Sequence, residues 1–79
     1  MPRLEDELCR VSVRRDPPIE VIVSRPLDNE KWPGLLYGWA HDVTDDRGLR
    51  GLVSYRREYA PGLWTDVVSW ASAEQIRRR

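Results

Sequence analysis

Four tryptophans and three tyrosines stand in this chain, and no phenylalanine. Every ring therefore pairs an apolar body with an N–H or O–H, a combination suited to surfaces that are packed on one side and wet on the other. Trp, Tyr and Arg also dominate the energetics of protein interfaces. Tyr37 and Trp39 sit two residues apart in "LLYGWAHD", and Arg50 and Arg56 bracket "RGLVSYR". The chemistry such a set can do is recognition. Rings supply contact area, and guanidiniums supply bidentate pairing and stacking.

Reaction chemistry has little to build on. His41 is the single histidine and Asp42 follows it, but neighbours on a strand point to opposite faces and cannot orient one another. Cys9, the single cysteine, has no histidine close in sequence and cannot form an internal disulfide. A small chain without such staples points to the cytoplasm. "DVTDDRG" gathers Asp42, Asp45, Asp46 and Gly48 but lacks the alternating acidic spacing and the distant glutamate of a calcium loop, and a hairpin turn explains the same residues. One cysteine and one histidine make no zinc pattern, and no glycine loop is shaped for phosphate. The expectation is a protein that is not an enzyme, with no metal and no cofactor.

With 79 residues, one domain is expected. A chain this short buries only about 60–65% of its unfolded surface, which leaves a thin stability margin. Thirteen basic residues balance thirteen acidic ones, so the basic excess usual in duplex-binding domains is missing. Lys31 is the only lysine, the bias a GC-rich coding sequence produces. No apolar run approaches the ~20 residues that cross a bilayer. "MPRLEDEL" is too acidic and polar for a secretory signal. A soluble, cytoplasmic protein with no membrane partner is expected.

Residues 1–18 read as an irregular or extended lead-in. Leu4, Leu8 and Val11 have helical spacing, Cys9, Val11 and Val13 alternate as in a strand, and "RDPPIE" is a break because neither Pro17 nor Pro18 donates a hydrogen bond. Residues 19–79 read as β structure. "IEVIVSR" is a strand with Ile19, Val21 and Val23 on one face, and "PLDNEKWPG" is a loop. "LLYGWAHDV", "LRGLVSYRREY" and "WTDVVSWA" are strands, separated by turns at "TDDRG" and "APGL", where Pro61-Gly62 suits a type II geometry. Ser72 and Gln75 have capping-box spacing for one helical turn before a terminal "IRR" strand.

Register then decides where the rings go. A hairpin loop at Asp45–Gly48 places Ala40 opposite Val53 and Gly38 opposite Tyr55. A second loop at Ala60–Leu63 places Val53 opposite Trp70 and Tyr55 opposite Val68. One face collects Leu36, Gly38, Ala40, Val53, Tyr55, Val68 and Trp70, with Gly38 making room for Tyr55, and it is the expected core. Tyr37, Trp39, His41, Leu52, Ser54, Arg56, Val67 and Ser69 fall on the other face, pointing to water. A bulge or a one-residue slip would reverse this. Alternatively the N-terminal segment folds over that face and makes Trp39 part of a second core. Trp32 and Trp64 lie in or beside loops, where they would clamp the barrel ends.

The element order resembles the SH3-like small β-barrels: a β element, a long loop at "RPLDNEKWPGL", a three-stranded meander with a tight turn at "APGL", and "VVSWASAEQIRRR" running from strand through one turn into a short last strand. The resemblance spans roughly residues 19 to 78. It implies an all-β, five-stranded barrel with a single helical turn before the last strand, and a binding or accessory module. Nothing matches the "ALYDY"-type motif of the peptide-binding SH3 domains, so recognition of proline-rich peptides is not implied. Tudor-like and chromo-like barrels share the shape.

The function expected from these residues is a non-catalytic module. It recognises a protein partner, or a second copy of itself, through Tyr37, Trp39, Arg50 and Arg56 or through a sheet edge. The alternative is a nucleic-acid-binding barrel stacking bases on the same rings, with arginines and the "IRRR" tail on phosphates.

Overall fold

The computed structural model describes residues 3–25, 30–41 and 48–79. A short helix α1 (Leu4–Leu8) is followed by β1 (Val13–Ser24), β2 (Lys31–His41), β3 (Leu49–Ala60) and β4 (Leu63–Ser72). A 3-10 turn at Ala73–Gln75 leads into β5 (Ile76–Arg78). The fold is all-β: one antiparallel sheet in the order β4-β3-β2-β1-β5. β4 and β5 are its two edges, so the sheet is open and not a closed barrel.

It is nevertheless strongly curled. β5 and β3 are three strands apart, which in a flat sheet is about 14 Å. Yet Ile76 Cδ1 lies 2.6 Å from where a Cβ on Gly51 would stand, with Leu36 Cδ1 at 2.9 Å and the Trp39 ring at 3.1 Å. Strands at both ends of the sheet thus wrap one small core of Val21, Val23, Leu36, Val53 and Ala71, against which Ile19, Trp39, Tyr55 and Ile76 pack. Gly51 leaves room for three side chains to meet where a methyl group would collide.

Local chemistry explains most boundaries. The Pro61-Gly62 turn has Gly62 at φ +74°, the left-handed position a type II turn requires. The Ser72 N–H donates to Gln75 Oε1 at 3.0 Å, and Gln75 Nε2 donates onward to the Ser24 carbonyl at 3.2 Å, fastening the 3-10 turn to the end of β1. The break expected at "RDPPIE" interrupts the pairing and not the strand. β1 runs through Pro17 and Pro18, while its ladder to β2 is irregular between Arg14 and Ile19. β2 begins at Lys31, inside the stretch expected to be loop. Pro33 is tolerated there because β3 joins β2 only from Gly34 onward, which leaves an open side for a residue with no N–H. The loop expected at Asp45–Gly48 and the acidic cluster at Asp42–Asp46 lie largely outside the described residues. The nearest described pair is His41 opposite Leu49.

The expected register needs correction in both hairpins: in the first, Ala40 faces Arg50 instead of Val53, an offset of three residues already present at the turn end of the ladder, and in both a bulge adds one more. A bulge inserts one residue and exchanges the two faces beyond it. In the second hairpin Ala60 does oppose Leu63, but the ladder shifts at Tyr59, so Trp70 faces Leu52 and Val67 faces Tyr55. Between β2 and β3 the shift falls at Tyr37: Leu36 opposes Val53, whereas Gly38 opposes Leu52 and Trp39 opposes Gly51. Gly34, and not Gly38, stands opposite Tyr55, and a Cβ there would lie 3.1 Å from Tyr55 Cβ. Val68 and Trp70 belong to the face away from the main core, and Val67 and Ser69, expected on the outer face, stand opposite Tyr55 and Val53 on the core side.

Candidate functional site

The four residues expected to form one recognition face do not share it. Tyr37, the bulged residue, turns to the outer face, where its hydroxyl and that of Ser54 are 2.8 Å apart. Trp39, beyond the bulge, is on the inner face over Gly51, against the main core. Arg56 is on the outer face and highly exposed, with its Nε donating to Asp66 at 3.2 Å. Both partners are well solvated, so the pair contributes little stability. Arg50 lies opposite Ala40 and Ser72 and lines a groove of about 800 Å³ with Arg25, Lys31, Trp70 and Glu74. Tyr37, Arg50 and Arg56 therefore belong to the outer side of the sheet, and Trp39 to the inner.

Part of that outer side meets the N-terminal segment. Trp70 Nε1 donates to Glu7 Oε2 at 2.6 Å, and Arg10 donates to the same oxygen at 3.2 Å while its guanidinium lies 5.8 Å from the Trp70 ring centroid. The Ser12 N–H donates to the Trp39 carbonyl at 2.9 Å. A Cβ on Gly38 would collide with Val11 Cγ1 and the Val13 carbonyl. The rung Gly38–Leu52–Trp70 thus meets Val11 at one end and Glu7 and Arg10 at the other, and Leu52 is fully buried without joining the main core. The lead-in packs on Trp70 and Gly38, while Trp39 stays with the main core.

What remains uncovered is the β3–β4 hairpin. Beyond Tyr55, β3 pairs with β4 alone, so the hairpin projects as a two-stranded ribbon. Its end carries Tyr59 at 67% exposure, Trp64 at 55% and Leu63 at 53%. Trp64 does not clamp the fold, whereas Trp32 is half-buried opposite Val23. β4 is also a sheet edge of ten residues with one charge, Asp66, and no proline. Lysines, prolines and very short length are the usual means of blunting such an edge, and β4 has none of them. Sequence reading missed this ribbon because the pattern "YAPGLW" signals a turn and says nothing about how far the turn stands out from its neighbours.

Among the described residues, no group of three or more His, Cys, Asp or Glu side chains could hold a metal ion. Cys9 is an exposed free thiol. No helix among the described residues is long and apolar enough to cross a membrane. Compared with protein-family models, curated proteins and solved structures, the chain matches none.

Proposed function

We propose that this protein is a non-catalytic protein-interaction module of the SH3-like kind, whose partner surface is the open edge of β4 together with the Tyr59–Leu63–Trp64 tip. The observation that carries the reading is Trp64. A large ring more than half exposed on an unblunted edge strand is costly to leave in water and well placed to anchor a partner. Strand addition to such an edge supplies affinity through main-chain hydrogen bonds, and the alternating side chains supply selectivity. The element order, with the 3-10 turn between β4 and β5, supports the resemblance to small barrels that serve as binding modules. The balanced charge favours a protein partner over nucleic acid.

The test is selection of extended peptides from a displayed library, followed by amide exchange on the complex. Added protection along Leu63–Ser72, lost together with binding in Thr65→Lys, is the expected result. Ligands that protect another surface, or that bind Thr65→Lys unchanged, overturn it.

A further inference from the structure

On its inner face the curled sheet leaves a mouth of about 310 Å³, a volume in the range of small-molecule sites. Its apolar wall includes Ile19, Leu36, Trp39 and Ile76, and its rim carries Arg15 and Arg78. Both arginines are exposed, and among the described residues neither forms an ion pair. A protein with no net charge therefore presents two unneutralised guanidiniums beside an apolar hollow. Their placement follows from the fold. β5 pairs with β1 so that Arg78 stands opposite Val21, while Arg15 lies in the irregular stretch where β1 leaves its ladder with β2.

From this juxtaposition we infer that the mouth is a binding site for an apolar group carrying a carboxylate. The hydrocarbon lies against Trp39, Leu36 and Ile76, and the carboxylate sits between Arg15 and Arg78. Guanidinium forks match a carboxylate in geometry as well as charge. An apolar cation would leave both arginines unpaired against a like charge, and a simple anion would leave the hollow unfilled. The same chemistry is offered by a free short-chain carboxylic acid and by the C-terminal residue of a peptide ending in an apolar side chain. The site does not depend on the β4 edge and stands or falls separately from it.

Amide and indole N–H NMR spectra of the whole protein, titrated with hexanoate, test the inference. Parallel titrations use 1-hexanol, hexylamine, acetate, and a short Leu-terminated peptide with a free or amidated C-terminus. Hexanoate is expected to shift the Trp39 indole and the Ile19, Leu36 and Ile76 amides saturably, and hexanol about tenfold more weakly. Arg15→Gln and Arg78→Gln should each weaken hexanoate two- to fivefold, and together about tenfold, as solvated pairs allow. Among the described residues neither arginine has an ion-pair partner, so the unliganded spectra of these variants should match the parent. Binding of the free-carboxyl peptide, but not the amide, more tightly than hexanoate assigns a chain terminus as the source, and the reverse order assigns a free acid. No saturable shift at the mouth with either carboxylate up to about 10 mM overturns the inference. So does hexanol or hexylamine binding as tightly as hexanoate, or a double variant that binds hexanoate unchanged.

Discussion

Trp70 and Glu7, 63 positions apart in the chain, are joined by an indole-to-carboxylate hydrogen bond of 2.6 Å. A five-residue helix has almost no stability of its own, so α1 keeps its shape only through contacts of this kind. The bond also satisfies a half-buried N–H that would otherwise lose both water and a partner. Removing the acceptor in Glu7→Ala should cost about 1–2 kcal/mol, the range for a hydrogen bond to a charged group that is partly solvated. Urea unfolding measures the loss, and tryptophan emission should shift to the red as Trp70 is wetted. Glu7→Gln keeps an acceptor and should recover most of the stability. An unchanged midpoint in Glu7→Ala would mean that the lead-in is held by other contacts.

Tyr37 and Trp39 make a sharper test, because the bulge assigns them opposite fates. Trp39→Ala removes a ring packed on Leu36, Gly51 and Ile76 and should cost about 3 kcal/mol. Tyr37→Phe removes only the hydroxyl contact with Ser54 and should cost about 0.5–1.5 kcal/mol. With so small a core, the first variant should be largely unfolded at physiological temperature by circular dichroism, and the second folded. The opposite ranking would restore the unbulged register, with Trp39 on the outer face.

The same bulges mark the limit of what the sequence made legible. Strand identities, the type II turn at Pro61-Gly62 and the Ser72–Gln75 turn could all be read, because each is set by residues near one another in the chain. Leu36 and Val53 share the core as expected although the register differs: Val53 faces Leu36 instead of Ala40, and an offset of four residues leaves the face unchanged. Val67, Val68, Ser69 and Trp70 fall on the faces opposite to those expected because a bulge has no local signature at Tyr59, and Trp39 does so because neither the bulge at Tyr37 nor the three-residue offset at the turn end of its ladder has one. Both are ordinary strand residues, and the extra residue is chosen by how the whole sheet curls. The docking of the lead-in on Trp70 was equally invisible, since it depends on Glu7 meeting a ring far along the chain. Of the four expected site residues, three share the outer side, and the exposed ribbon beyond Tyr55 had no cue in composition or spacing.

Two glycines should respond to substitution for different reasons. In Gly38→Ala the new methyl meets the Val11 side chain and the Val13 carbonyl, so the lead-in must shift. The expected cost is about 2–3 kcal/mol, with loss of exchange protection at the Ser12 N–H. In Gly62→Ala the methyl meets nothing within 4 Å, but the backbone is at φ +74°, which costs about 1 kcal/mol and leaves Ser12 protected. Equal melting shifts together with equal exchange patterns would contradict the placement of Val11 on Gly38.

The projecting ribbon separates association from stability. Trp64 is opposite Glu58, outside the core, and more than half of its surface is already in water. Trp64→Ala should therefore change the unfolding free energy by no more than about 0.5 kcal/mol, the usual range for surface substitutions. If β4 receives a partner strand, the same substitution should weaken binding of a selected peptide by tenfold or more, as expected for a central aromatic anchor, equivalent to about 1.4 kcal/mol or greater. Sedimentation velocity across a concentration series distinguishes the occupants. A second copy gives a concentration-dependent rise in mass that Thr65→Lys abolishes, because a lysine on the edge must be desolvated for pairing. A foreign strand leaves the isolated protein monomeric and adds mass only with the peptide. Trp64→Ala that loses several kcal/mol of stability, or that binds every selected ligand as tightly as the parent, would show that the ribbon is part of the scaffold and not of the recognition surface.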